Sequence, residues 1–397
     1  METLTVKLKV VTPLFLGGAE PDKKAELRAP SIKGALRYWY RAIDPDYQRH
    51  EARIFGGTGK EEGQARFLLR VVNIKEPKKK DKDDGKAHDA RWHGTQIAYL
   101  GYGPINRAKT GKRFKTKDGK EREEQKSMTL RPYICSGTEF SLSFCFKPQT
   151  SPEDIARVKK ALWALVMLGG LGARCRKGFG SLVAIESIAG MAGLPTMQPK
   201  DKKELAASFT EFLNKLSRPP GLPEYTSWSD EARCVVAGEG ASGEEALKWV
   251  GSQMHACRSW RSDEKQRWVT DDHHLMRNFI GNGMKPQKPP LRAAFGLPHN
   301  YFFTSLGDKK GGVDYMDGDK SGRRASPLII HIHEFDTDSG NNKACVVATY
   351  LPARLIPKDE KVRISGHGQV DLPIPDDFTA VTDFIERLGT KGKEIKL

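Results

Sequence analysis

The sequence predicts an α+β protein, and three observations predict it. Residues 3–11 and 138–146 alternate polar and apolar side chains, the period of half-buried strands. Residues 151–168 repeat apolar side chains at helical spacing behind a strong helix-start signal. A second set of strand and helix patterns follows a proline-rich stretch, so the whole reads as two tandem units with charged insertions.

The elements follow in order. In the first strand Leu4, Val6, Leu8 and Val10 share a face, and Pro13 ends it. A loop with Gly17, Gly18, Pro21 and Asp22 leads to Ser31 and a helical run over 32–43, stopped by Asp44 and Pro45. Residues 66–74 read as a strand. Residues 75–91 and 103–126 are charged and poor in apolar residues, the second with nine Lys/Arg against four Asp/Glu, so both read as solvated, mobile insertions. Phe140, Leu142, Phe144 and Phe146 share a face of the next strand. Ser151 is a natural N-cap, Pro152 suits the first helical position, and Glu153 and Asp154 sit where the helix dipole favours anions. Gly169 and Gly170 end that helix, and 181–188 reads as a strand. Strand, helix, strands, helix, strand is the order of a ferredoxin-like unit, here over residues 1–190. Five prolines within 190–225 separate it from a C-terminal unit, 225–397. That unit repeats the mixture more loosely, with strands at 231–237, 327–335 and 344–351 and helices at 243–257 and 376–388.

With 66 Lys and Arg against 50 Asp and Glu in 397 residues, the formal charge is +16 and the sequence pI about 9.4. Such a balance speaks of partners, and polyanions are the obvious class. The 38% apolar content argues against wholesale disorder. Six scattered cysteines form no C-x-x-C pair, which argues against a zinc ribbon and fits free thiols in a reducing compartment. The N-terminus has no continuous apolar core of a signal peptide, and the apolar stretch 161–173 is too short for a bilayer. A cytoplasmic protein without a membrane partner is expected.

The segment 169–180 has five glycines in twelve residues, with Arg174, Arg176 and Lys177 among them. Glycine lets backbone N–H groups approach a ligand, and the cations add charge-assisted bonds to phosphate. No Gly-Lys-Ser/Thr ending makes it a Walker loop, and Cys175 stands where a dinucleotide fingerprint needs its third glycine. The plainer reading is a tight helix-to-strand connection carrying solvent-facing charges. In the helix at 32–43, Lys33, Arg37 and Arg41 form one basic stripe flanked by Tyr40, opposite Ile32, Leu36, Trp39 and Ile43. The stripe suits RNA or a buried salt bridge to nearby Glu51, while Trp39 suits the core. Arg323 and Arg324 precede an apolar strand on which His331 and His333 share a face. Neither this pair nor His273 and His274 has an evident third metal ligand, so no metal or other cofactor is expected. No nucleophile elbow, paired-carboxylate motif or kinase signature is present.

The loop Gly-Gly-Leu-Gly-Ala-Arg-Cys-Arg-Lys-Gly-Phe-Gly-Ser resembles the glycine-rich loop of RAMP-superfamily CRISPR proteins. Thr12–Gly18, Leu27–Arg41, Glu51–Gly56, Leu291–Pro298 and Arg323–Leu328 are similar to one branch, the first RAMP subunit of type III-B (Cmr) effector complexes. Cys175 departs from a position often polar in that pattern. The resemblance implies two tandem ferredoxin-like (RAMP/RRM-like) domains within an RNA-guided antiviral complex. It further implies an end piece touching a neighbouring RAMP subunit, the guide RNA near its 3′ end and the paired target RNA, with target cutting left to another subunit. The expectation is a non-catalytic RNA-binding protein. Gly170, Gly172, Arg174, Arg176, Lys177 and Gly178 would hold phosphates, Lys33, Arg37 and Arg41 would line a groove, and Arg323 and Arg324 would form its second wall. One alternative is a metal-independent endoribonuclease maturing guide RNA, with His273, His274, His331 or His333 as base. The other is a scaffold whose basic faces meet acidic proteins.

Overall fold

The computed structural model describes residues 2–59, 62–77, 87–115, 121–186, 190–318, 320–335, 343–358 and 360–395. The N-terminal half runs β1 (Thr3–Val10), α1 (Ala29–Ile43), α2 (Tyr47–Phe55), β2 (Phe67–Lys75), α3 (Gln96–Leu100), β3 (Ile105–Lys115), β4 (Glu121–Thr129), β5 (Glu139–Phe146), α4 (Pro152–Leu168) and β6 (Leu182–Ala184). The apolar faces read from the alternation in β1 and β5 are the buried ones. Helix α1 starts earlier than residue 32 because Pro30 presets the first turn after an extended Arg28. At α4 the Ser151 hydroxyl accepts from the Asp154 N–H at 3.2 Å, the cap expected of it. Strand β6 is shorter than 181–188, and residues 187–189 lie outside the described residues.

The stretch 103–126 corrects an expectation, since most of it belongs to the β3–β4 hairpin. Charge here is paired across strands: Lys109 Nζ meets Glu123 at 3.1 Å, and Arg113 stands opposite Glu123. Buried Ile105 anchors the hairpin's base. Of the other insertion, residues 78–86 lie outside the described residues.

The stretch 190–225 holds α5 (Lys202–Leu213), capped by Asp201, so it is more than a spacer. Its Phe212 stacks on Trp163 with ring centroids 3.9 Å apart, and Phe209 meets the same indole edge-on. The chain then runs β7 (Arg233–Gly240), α6 (Gly243–Arg258), α7 (Arg267–Asn282), β8 (His299–Phe303), β9 (Lys309–Asp317), β10 (Lys320–Gly322), β11 (Leu328–Phe335), β12 (Lys343–Tyr350), β13 (Lys361–Gly366), β14 (Gly368–Leu372), α8 (Thr379–Gly389) and β15 (Gly392–Glu394).

Two four-stranded sheets follow one plan. The first is ordered β2-β5-β1-β6 and the second β11-β12-β7-β15, each antiparallel throughout. Numbered within its own half, each sheet runs second, third, first, fourth. A further sheet, β10-β9-β13-β14 with β8 on β9, closes over α7 around Met276, Phe279, Ile280, Val313, Val362 and Ile364. No strand pattern in the sequence announces it.

From Ala161 to Leu168 helix α4 is buried on every side, as a helix must be where it is apolar all round. It packs on α1 and β6 and also on β11 and β12. One core therefore joins Leu8, Trp39 and Trp163 to Val236, Ile329 and Val347, and a second joins Phe15 and Phe179 to Leu247 and Ile332. Among the described residues no helix is long and apolar enough to cross a membrane.

Candidate nucleic-acid interface

The glycine-rich segment runs from the end of α4 to β6 along the seam between the two main sheets. The Leu171 N–H donates to the Gly180 carbonyl at 3.0 Å, Ala173 to Phe15 at 2.8 Å, Lys177 to Arg174 at 2.7 Å and Gly180 to Pro13 at 3.0 Å. The Ile330 N–H donates to the Arg176 carbonyl at 3.2 Å, which stitches the loop to β11. Thr12 Oγ1 donates to the Gly178 carbonyl at 2.6 Å and accepts from the Ser181 N–H at 3.0 Å. The expected backbone cradle for phosphate is thereby corrected, because much of the loop's donor capacity is spent inside the protein. Gly170 and Gly178 are buried, and Phe179 is fully buried against Phe15. A Cβ on Gly170 would lie 3.0 Å from the Gly180 carbonyl oxygen, on Gly172 2.4 Å from that of Phe15, and on Gly178 2.8 Å from Leu247. These three glycines serve close packing, which the spacing alone did not distinguish from ligand approach.

The loop's cations remain at the edge of the seam. Arg174, held at φ +63°, is exposed, and its guanidinium reaches over Gly103. The half-buried Arg176 lies 4.9 Å from the Tyr38 ring centroid and donates through Nη1 to the Ser326 carbonyl. Lys177 is half-buried, with Nζ 5.6 Å from the Phe295 centroid. Arg323 is exposed, and Arg324 Nη2 donates to the Arg354 carbonyl at 2.6 Å. Although Arg174 is exposed as a residue, desolvation of its guanidinium lowers its pKa, with Arg323 adding to the effect, and burial lowers that of Arg324, with Arg176 adding to it. The two predicted clusters thus meet in space. Sequence reasoning missed Arg258, Arg292 and Tyr38, which join them. The Arg258 guanidinium lies over the Phe295 ring, 4.2 Å from its centroid, and Arg292 Nη2 donates to the Arg258 carbonyl. Arg292 lies in the block 291–298 that carries part of the resemblance, so a signal for it existed.

The α1 stripe resolves differently. Glu51 of α2 is buried and binds both Arg37 and Arg41, with Arg41 Nε at 2.8 Å. Burial pushes the Glu51 carboxyl up, but hydrogen bonds from Arg41 and Arg37 outweigh this and leave its pKa below the usual value. Of the two readings the stripe suits, Arg37 and Arg41, expected to line a groove, make the salt bridge to Glu51 and so clasp α1 to α2. Lys33 sits half-buried, 5.6 Å from the Phe67 centroid, away from the loop cations' partners. Tyr40, expected beside the stripe, is fully buried against Phe55, and Trp39 is buried as expected. Glu51→Ala is expected to cost about 1–2 kcal/mol in urea unfolding, since both guanidinium groups lose a charge-assisted bond but keep solvent access. A loss under about 0.3 kcal/mol would show that the clasp is dispensable.

His331 and His333 are fully buried, which removes both as bases for an RNA substrate. His273 stacks on Trp260 at 3.8 Å, and burial, reinforced by His274, Arg277 and Arg292, lowers its pKa to about 4. Among the described residues no three His, Cys, Asp or Glu side chains gather as a metal site.

The sequence pattern of the RAMP superfamily matches residues 7–183. The chain is 30% identical over 192 residues to the CRISPR system Cmr subunit Cmr1-2 of Pyrococcus furiosus, covering 44% of this chain and 91% of that protein. It is 28% identical over 170 residues to Cmr1-1 of the same organism, covering 41% of each. The crystal structure of Cmr1 from Pyrococcus furiosus in its apo form superposes over 99% of this chain and 98% of its own, with a TM-score of 0.53 and 19% identity, a likeness of fold.

Proposed function

The chain belongs to the RAMP superfamily, and on that premise we propose that it is a non-catalytic RNA-binding subunit of a type III-B CRISPR effector complex. One observation carries the reading. Arg174, Arg176, Lys177, Arg258, Arg292, Arg323 and Arg324 converge on the seam, and their partners are carbonyls, aromatic rings and a thioether. Among the described residues no carboxylate makes a salt bridge to any of them. Cations held without a carboxylate salt bridge suit a phosphate backbone, and Tyr38, Tyr99 and Tyr102 offer rings beside it. Guide–target pairing would read sequence while the protein reads backbone and shape, the division known for RNA-guided DNA recognition and extended here by analogy. The partners would be guide RNA, single-stranded target RNA and neighbouring RAMP subunits. The shared strand order of the two main sheets supports tandem ferredoxin-like domains over 1–190 and 225–397.

The exposed pair Arg174 and Arg323 gives the test. R174A/R323A is expected to weaken single-stranded RNA binding equally across unrelated sequences and to lower the slope of log affinity against log salt by about 0.7 for each phosphate that is no longer neutralised. Unchanged affinity and slope in a filter-binding titration would overturn the proposal.

A further inference from the structure

Lys177, Arg258 and Arg292 form a second tier of charge beneath exposed Arg174. Lys177 Nζ and the Arg258 guanidinium flank the same Phe295 ring, at 5.6 and 4.2 Å from its centroid. Arg292 lies 6.0 Å from the Trp268 centroid and 5.9 Å from that of Tyr301. The ring of His299 stands 5.1 Å from Tyr301. Nearby Asp272 is already committed: its two oxygens accept the Leu291 and Arg292 N–H groups at 2.9 Å each. Among the described residues Lys177 Nζ meets nothing more polar than the Met254 sulphur at 4.0 Å. Arg258 Nε, Arg292 Nε and Tyr301 Oη are buried without a hydrogen-bond partner among the described residues.

Like charges so disposed disfavour one another. Burial, then Arg258, Arg174 and Arg176, lower the Lys177 pKa well below its ordinary value. Burial and Arg292 lower that of Arg258, and burial, Arg258, Arg292 and Lys177 lower that of His299. A buried charge without a partner is costly, and a buried donor left unmade adds to the cost. One dianionic or monoanionic oxyanion between the three side chains would relieve both at once.

We infer that Lys177, Arg258 and Arg292 form a half-buried site for a single phosphate group, with Tyr301 and His299 on its wall. The inference rests on the RNA-binding reading for its ligand's source, an RNA phosphate. The site is distinct from the exposed contacts of Arg174 and Arg323, because its three cations are half-buried. Arg is suited to it by its forked donors, and Lys177 by an ammonium group that a bound anion would stabilise.

The test uses the full chain and inorganic phosphate as probe. Phosphate at a hundredfold excess over its Kd is expected to raise Tm by about 3 °C relative to chloride of equal ionic strength. In R258Q/R292Q that rise should vanish, and a 5′-phosphorylated single-stranded RNA should compete with phosphate for the unaltered chain. No phosphate-specific rise in the unaltered chain overturns the site, whether or not the variant folds. A rise that persists undiminished in R258Q/R292Q overturns it too. Phosphate binding without competition by RNA would leave a free-anion site and overturn the RNA source. Because R174A/R323A tests the exposed contacts by RNA affinity, an unchanged affinity there would strike the functional reading while leaving the phosphate shift in place.

Discussion

Gly180→Ala is expected to destabilise the protein by about 3 kcal/mol. Gly180 has φ +64°, a conformation that costs an alanine about 1–2 kcal/mol. Its added Cβ would stand 2.1 Å from the Leu171 carbonyl oxygen and 2.8 Å from Leu14 Cδ1. The Leu171 carbonyl is backbone and cannot swing aside, and the Leu171 N–H and the Gly180 carbonyl are themselves joined at 3.0 Å. Moving one end of that pair moves the other, and with it the hydrogen bond from the Gly180 N–H to Pro13. Overpacking adds a further ~1–3 kcal/mol. Gly34, exposed on α1 with nothing within 4 Å of a built Cβ, is the control. Gly34→Ala should stabilise by up to about 1 kcal/mol, since alanine is the better helix former. Urea unfolding of both variants decides the matter: equal midpoints would mean that the loop's conformation is not enforced by its glycines. Because Arg174, Arg176 and Lys177 ride on this loop, the same substitution should displace them and weaken RNA binding.

The loop also marks where sequence reading stops. Strand β5 and helix α4 were legible because their side-chain periods and caps are local, and a local signal needs only neighbouring residues. The convergence of Arg174 with Arg323 was legible only as two separate basic clusters. What joins them, the stitching of the loop to Ile330 and Ser326, lies about 150 residues away along the chain. The five-stranded assembly around α7 was illegible for another reason. Its strands β8, β10, β13 and β14 are short, and the longer β9 is broken by Gly311 and Gly312, so alternation stays too brief to read. Arg37 and Arg41 show a third limit. Their spacing fits a phosphate stripe and a carboxylate clasp equally, and only the burial of Glu51 under α1 decides between them.

Mild acid should loosen the seam at two buried histidines. His331 Nδ1 donates to the Gly169 carbonyl at 2.7 Å, so that nitrogen carries the proton, and its Nε2 has no partner among the described residues. The ring is therefore held neutral. Burial lowers its pKa from 6.5 to about 4, against a smaller upward pull from Gly169. His333, its neighbour on the same face with ring centroids 5.8 Å apart, is lowered by burial and by His331. Unfolding exposes both rings, which then bind protons below pH 6.5 while the folded chain does not. Stability is thus complete above pH 6.5 and falls as the pH drops toward 4, by about 3 kcal/mol for His331 alone. His333→Leu should keep stability at pH 7 within about 1.5 kcal/mol, because it exchanges a buried imidazole with an unpartnered Nδ1 for an apolar side chain. It should also flatten the decline between pH 6.5 and 4 by roughly a quarter, because burial holds His273 and His299 below 6.5 as well as His331. Carboxylates such as Glu51, held below their usual range, contribute at lower pH and equally in both proteins, so the difference between the two curves isolates the ring. Superimposable curves from pH 4 to 7 would show that His333 charges freely in the fold, against a seam closed to water. A decline starting only below pH 4 would say the same of both histidines.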